Sequence, residues 1–340
     1  MSTSPEEPTK PLIEWYRTPI DKETLKALNE RSDLLGFLQT CGYLAVLLMT
    51  GALAWYASLH WPVWVTIPCF MLHGTCMCFL INGMHELVHG TVFKTKWLNR
   101  FFLPFFSFPG LLNHEHFWAS HAEHHKYTLH PPDDLEVVLP IAVKMSDFLK
   151  GGIADPGSWW RTVKWHLRTA AGRFEGEWDN SILPKAAVKK RRKTIQWARV
   201  LVVGHVAILI VSIVNGWWQL PLLVTFGSFY CNALHRFCNS TQHIGLKDNI
   251  PDFRLCCRTM YLAPPLQFLY WHMNYHIEHH MYAAVPCYRL GALNRTIRHD
   301  LPHCPTGIVE TWKEINAIVK RQKVEPEYQY VPELPARATT

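Results

Sequence analysis

The sequence predicts an all-α integral membrane protein: four transmembrane helices in two hairpins, with a cytoplasmic cap of helices holding a metal site. Three observations predict it. Lys and Arg are absent between Arg31 and Lys94 and again between Arg199 and Arg236, and each gap is long enough for two membrane helices of about 20 residues. Of the 340 residues 49% are hydrophobic and 18% charged, below the roughly 25% charged usual in soluble proteins. Histidines recur at helical spacing in three places outside the apolar runs.

The elements follow in order. Residues 1–20 are polar and Pro-bearing at their start and read as a loose N-terminal tail. From Asp21, Leu25, Leu28, Leu34 and Leu35 among charges suit a helix lying along the membrane surface. The first span is expected over about 36–59, His60-Trp61-Pro62 turns the chain, and the second covers about 63–83. Residues 97–112 are apolar but short for a crossing and carry Arg100, Pro104 and Pro109, so they read as re-entrant or interfacial. A polar region to Arg199 precedes a third span over about 200–214 and a fourth over about 217–235. The run from Met260 to Trp271, with Pro264 and Pro265, again reads as interfacial. A last amphipathic helix is expected over Gly307 to Gln322, then a tail over 323–340. No second domain is indicated, so 1–340 reads as one unit.

Charge and cysteine usage narrow the class further. The 34 Lys and Arg against 27 Asp and Glu leave +7, which reads as positive-inside bias rather than nucleic-acid binding. Lys189 to Lys193 stands just before an apolar segment, where such clusters anchor to anionic head groups. Two short-looped hairpins then put both termini, the basic residues and the histidines on the cytoplasmic side. Ten Cys show no Cys-x-x-Cys pair, and several sit in apolar runs, so no disulfide framework is expected. The first 30 residues lack an apolar core, and no cleavable signal peptide is expected.

His121, His124 and His125 fall on one stripe of a helix, as do His276, His279 and His280, and His85 and His89 form a shorter version. His243, four residues after Asn239, is a ninth candidate. Imidazole suits iron, zinc, copper or nickel. Eight box histidines exceed the three or four that zinc takes, and fit two metals with positions left for a small molecule.

With its HxxxH, HxxHH and HxxHH boxes in this order between hydrophobic hairpins, the chain resembles the membrane fatty acid desaturase superfamily over roughly Trp15 to Pro305. The resemblance implies a di-iron centre held by His85, His89, His121, His124, His125, His276, His279 and His280, with His243 and neighbouring Asn239 completing it. It implies O2 as co-substrate, a lipid or acyl substrate, and an external electron donor: ferredoxin, rubredoxin, or cytochrome b5 with its reductase. It also implies a multi-pass protein of the bacterial inner membrane or endoplasmic reticulum. The residues Asn274 to His280 are more similar to bacterial and sphingolipid-type members than to front-end ones, which carry Gln at the place of His276.

Other readings attach to the same residues. A hydroxylase on the same scaffold is the runner-up. His85-Glu86-Leu87-Val88-His89 is also the zincin pattern, with Glu86 as general base of an intramembrane zinc protease. Glu86, Glu123 and Glu278, and Asp133 and Asp134 after the second box, are candidates to orient ring N–H groups, against a solvent-facing or turn role. His114, His116, His130 and His272 are expected outside the metal set, and His73 and His205 as hydrogen-bonded packing residues.

Overall fold

A computed structural model describes residues 12–336 except 142 and 144. Among the described residues it is all-helical, with isolated β-bridges but no strand. Helix α1 (Lys22–Leu28) starts at Asp21, whose carboxylate accepts from the Thr24 amide. Ser32 caps α2 (Asp33–His60) in the same way through the Leu35 amide. Twenty-eight residues make α2 about 42 Å long, and Trp61-Pro62 ends it. Helix α3 (Val63–Cys78) runs back against it. At Phe79 the ladder tightens, with the Phe79 amide donating to the Cys76 carbonyl at 3.2 Å. The chain continues as α4 (Leu80–His89) until Gly90, at φ +68°, closes the helix in the left-handed region.

Helix α5 (Lys96–Ser107) contains Pro104 and lies beside α4. Its 12 residues are too few to cross a bilayer, in keeping with the interfacial reading. Then come α6 (His114–Tyr127), α7 (Met145–Ile153), α8 (Pro156–Ala170), α9 (Glu177–Ile182) and α10 (Val188–Asn215). Helix α10 begins inside the basic run and ends at Gly216, φ +69°. Only 22% of its apolar window is buried in the protein. Val203, Ile210, Ile213 and Val214 stand exposed along it, as do Leu48, Met49, Trp64 and Ile67 on the first hairpin. Apolar faces this long are stable only against lipid.

Three described helical segments are long and apolar enough to cross a membrane: Asp33–His60, Val63–His89 and Val188–Asn215. The expected fourth span at 217–235 is not a continuous helix. It is broken into α11 (Gln219–Leu223), a 3-10 turn at Gly227–Phe229 and α12 (Ala233–Asn239). Pro221, Gly227 and Asn232 interrupt an otherwise apolar run. The freed backbone groups are satisfied by neighbours, as nonhelical chain at membrane depth requires. The Thr75 hydroxyl donates to the Cys231 carbonyl, and the Cys231 amide to the Ile153 carbonyl. Intramembrane His73 bridges Thr50 and the Leu223 carbonyl, and His205 bridges Thr225 and the Phe108 carbonyl. Both are packing residues, as expected.

The remaining helices, α13 (Phe253–Cys256), α14 (Pro264–Leu269), α15 (His276–Met281), α16 (Leu290–Ile297) and α17 (Gly307–Gln322), close the cap. The tails differ from expectation where they are described. Trp15 stacks on Phe253 at 4.1 Å, and the Arg17 guanidinium donates to the Met281 carbonyl. At the other end, Gln329 pairs with Asp248 and the Tyr330 amide donates to the Gly245 carbonyl. Residues 1–11 and 337–340 lie outside the described residues.

Gly83, two residues before His85, is where α4 meets α5. A Cβ there would lie 2.3 Å from Phe106 Cδ1 and 2.8 Å from Trp271 Cζ2. Both rings are fully buried and leave no room to shift. Gly83→Ala is therefore expected to cost about 1–3 kcal/mol, seen as a lower melting temperature of the detergent-purified protein. An unchanged melting temperature would show that the two helices separate freely.

Candidate metal centre

The three stripes meet. Helix α4 supplies His85 and His89, α6 supplies His121, His124 and His125, and α15 supplies His276, His279 and His280, while His243 lies in the turn after α12. Two groups form, each with its donor atoms within 4.8 Å of one another: His85, His89, His121, His125 and His279, then His243, Cys257, His276 and His280. In the first, His85 Nε2 and His121 Nε2 are 2.7 Å apart, His121 and His125 2.9 Å, and His125 and His279 3.1 Å. In the second, His276 Nε2 is 2.9 Å from His243 Nε2 and 3.1 Å from His280 Nε2. The His125 and His280 rings stack at 4.4 Å and join the groups. His124 packs beside the second, 5.0 Å from His280 and 5.3 Å from His243 between ring centroids.

The outer nitrogens fix what the inner ones carry. His85 Nδ1 donates to Glu86 at 2.9 Å, His121 Nδ1 to Glu136 at 2.8 Å, and His124 Nδ1 to Asp134 at 2.7 Å. His243 Nδ1 donates to the Cys256 carbonyl at 2.8 Å. Carboxylates and carbonyls only accept, so these Nδ1 atoms hold the proton and each Nε2 is a bare lone pair. Burial pushes His121, His125, His276, His279 and His280 well below the ordinary histidine range, and His243 to about 3. These rings are neutral, and their inner nitrogens offer lone pairs rather than protons. His124 differs: burial opposes its charge, but the Asp134 hydrogen bond and Glu136 outweigh it and raise its pKa.

Neutral rings with His85 and His121 lone pairs 2.7 Å apart have no proton between them to share. A cation resolves that contact. Two nitrogens bonded to one ion at about 2.1 Å and near right angles lie about 3 Å apart, close to the separations seen. The donor set therefore fits metal ions.

The acidic candidates separate cleanly. Glu86 serves His85 and lies 3.9 Å from His279 Nδ1. Asp134 serves His124. Glu123 instead pairs with Lys126 near the surface, and buried Glu278 is held by Thr259 and Asn294 rather than by a ring. His114 bonds to Ser107, His116 to Asp179, His130 to the Thr128 carbonyl and His272 to Gln267, and none belongs to either group. Asn239 is exposed on the wall of the adjoining cavity, with Oδ1 3.5 Å from the Tyr270 hydroxyl.

Three partners were not foreseen from the sequence. Glu136 holds His121 and accepts from Ser120, although its distance from the second box marks no motif. Thr128 contacts His280 Nδ1 at 3.2 Å. Cys257 lies within the second group, and burial raises its thiol well above the ordinary value, keeping it protonated.

A cavity of about 690 Å³ opens beside the groups, lined by His85, His121, His124, His243 and His276 together with Met84, Phe117 and Met273. A family model for fatty acid desaturases matches residues 59–312, which hold all three boxes and the cavity's lining. The chain belongs to the fatty acid desaturase family. It is a membrane-associated oxidoreductase by that membership, and lipids are the family's substrates. A search of curated proteins found no match.

If Glu136 sets the ring of His121, Glu136→Leu is expected to weaken metal retention by about 10–100-fold, measured by metal analysis after graded chelation. Glu123→Gln, at the surface, is expected to match the wild type. Equal loss in both variants would remove the orienting role.

Proposed function

We propose that this desaturase-family protein is an O2-dependent di-iron oxidoreductase that introduces a double bond into a fatty acyl or lipid chain. The observation that carries the reading is the pair of adjacent nitrogen groups opening onto one cavity. In this reading His85, His89, His121, His125 and His279 hold one iron, and His124, His243, His276 and His280 hold the other, with Asn239 beside His243. When bound, the iron pair supplies the activation of O2 that removes hydrogen from an unactivated C–H bond, a task beyond any side chain.

The chain's own residues do the rest. Glu86, Glu136 and Asp134 keep protons on the outer ring nitrogens, so the inner ones stay aimed. Ile81, Met84, Leu111 and Phe117 supply apolar wall that aligns an aliphatic chain against the histidines and excludes water. Two electrons per turnover come from an external donor: ferredoxin, rubredoxin, or cytochrome b5 with its reductase. A second opening, beside His89, is lined by Arg31, Lys96, Arg100 and Lys193, and its positive charge suits an acidic donor. The whole chain acts as one domain, with its termini and boxes on the cytoplasmic side of the inner membrane or endoplasmic reticulum, as the basic run at the start of α10 supports.

Hydroxylation on the same scaffold remains the second reading, since it begins with the same hydrogen removal. The zinc protease reading loses its base. Glu86 is 1% exposed, holds His85 Nδ1, and is absent from the cavity wall where a water would be activated.

Expression with a reductase system and lipid mass spectrometry tests the reading. Loss of two hydrogens from a membrane lipid is the expected result, and gain of one oxygen would select hydroxylation. His124→Ala is expected to abolish turnover and lower bound iron while leaving membrane insertion intact. Unchanged iron and activity in that variant would take His124 out of the site.

A further inference from the structure

One stripe of α8 faces the cavity. Ser158, Arg161, Thr162 and Trp165 line it at i, i+3, i+4 and i+7, the spacing of a single helical face. Hydrocarbon wall comes from other elements, through Ile81 and Met84 on α4 and Phe117 on α6. Ser158 and Thr162 also border a smaller space of about 240 Å³, whose polar far wall includes Asp155, Asn232, His235 and Arg236.

Arg161 is the one Lys or Arg among the described residues of the larger cavity's wall, and it is exposed, where the cavity meets solvent. No described carboxylate pairs with it. Asp155 is committed elsewhere, accepting from Arg236 and from the Ser158 amide. Glu136, the one carboxylate on the same wall, is held by His121 and Ser120 at the metal end. The other cations of α8 are engaged as well: Lys164 sits over the Trp160 ring at 5.4 Å, and Arg168 pairs with Glu175. Gly157 leaves the guanidinium room to fold back along the helix, since a Cβ there would stand 3.3 Å from Arg161 Nη1. The Ser158 and Thr162 hydroxyls likewise bond to no described residue, and both residues are only half-buried.

A guanidinium and two hydroxyls on one helix face supply hydrogen-bond donors, and the guanidinium fork matches the paired oxygens of a carboxylate or phosphate. An ammonium group would be repelled there, and a plain hydrocarbon or neutral ester leaves the charge unused. We infer, on the oxidoreductase reading above, that the substrate chain carries an anionic oxygen group, a carboxylate or a phosphate. Arg161, with Ser158 and Thr162, holds that group at the mouth of the cavity. The aliphatic part runs past Met84 and Phe117 to the histidines.

The test measures binding of three chains to the iron-loaded, detergent-purified protein: a saturated long-chain fatty acid, its methyl ester and a monoacyl phosphate of the same length. Alkaline buffer keeps the acid ionised. The wild type is expected to hold at least one anionic chain about tenfold tighter than the ester. Arg161→Gln is expected to erase that preference while ester binding stays unchanged, and Arg161→Lys to keep part of it. Lys164→Gln, off the cavity wall, is expected to keep all of it. A preference for the acid alone or the phosphate alone names the anion the site takes. Equal binding of all three chains by the wild type, or equal loss in Arg161→Gln and Lys164→Gln, overturns the proposal. Conversion of any chain in that case leaves the oxidoreductase reading intact. An anion preference that depends on Arg161, with no chain converted, supports the proposal and counts instead against that reading.

Discussion

Lone pairs that face one another across buried, neutral rings are the constraint on which this structure turns. Imidazoles normally avoid such contact, because without a shared proton two nitrogens at 2.7 Å only repel. Here the outer carboxylates and carbonyls impose it by holding the protons on Nδ1. Packing keeps the rings in place: Tyr43, Phe79, Phe106, Tyr270 and Trp271 are fully buried in one core with residues of the box helices. Such a site is preorganised for cations, and whatever binds it stabilises the folded chain by mass action.

The membrane segments serve that centre more than they serve one another. The second crossing runs straight into His85 and His89, so the lipid-spanning helix and the first box are one rigid piece apart from the tightened turn at Phe79. The broken segment after α10 works differently. Its interruption at Gly227 and Asn232 gives up helical hydrogen bonds but opens room beside α8, and the polar wall of the smaller cavity lies there. Continuous helix through 217–235 would have carried Asn232, His235 and Arg236 on a plain helical face.

What was legible in the sequence was local. Histidines at i, i+3 and i+4 and apolar runs bounded by turns such as His60-Trp61-Pro62 are short-range signals, and the structure places those helices close to where they were read. The boundaries of α17 were read to the residue. Long-range pairing was not legible. Glu136 reaches His121 only because the loop after α6 folds back, and Cys257 joins His243 and His276 through tertiary packing alone. The breaks in the segment 217–235 were hidden for a related reason. Hydropathy over 217–235 is high, yet it says nothing of Thr75 and Cys78 on α3, whose side chains donate to the Cys231, Ser228 and Tyr230 carbonyls of the broken segment. Trp15 and Arg17 likewise look like tail residues until Phe253 and the Met281 carbonyl are beside them.

Metal quantitation joined to iron K-edge X-ray absorption on the purified full chain tests the central claim most directly. Two irons per chain, each with nitrogen and oxygen neighbours and no sulfur, is the predicted result. A single bound zinc, or a sulfur neighbour placing the Cys257 thiolate on the metal, would contradict the two-group histidine centre.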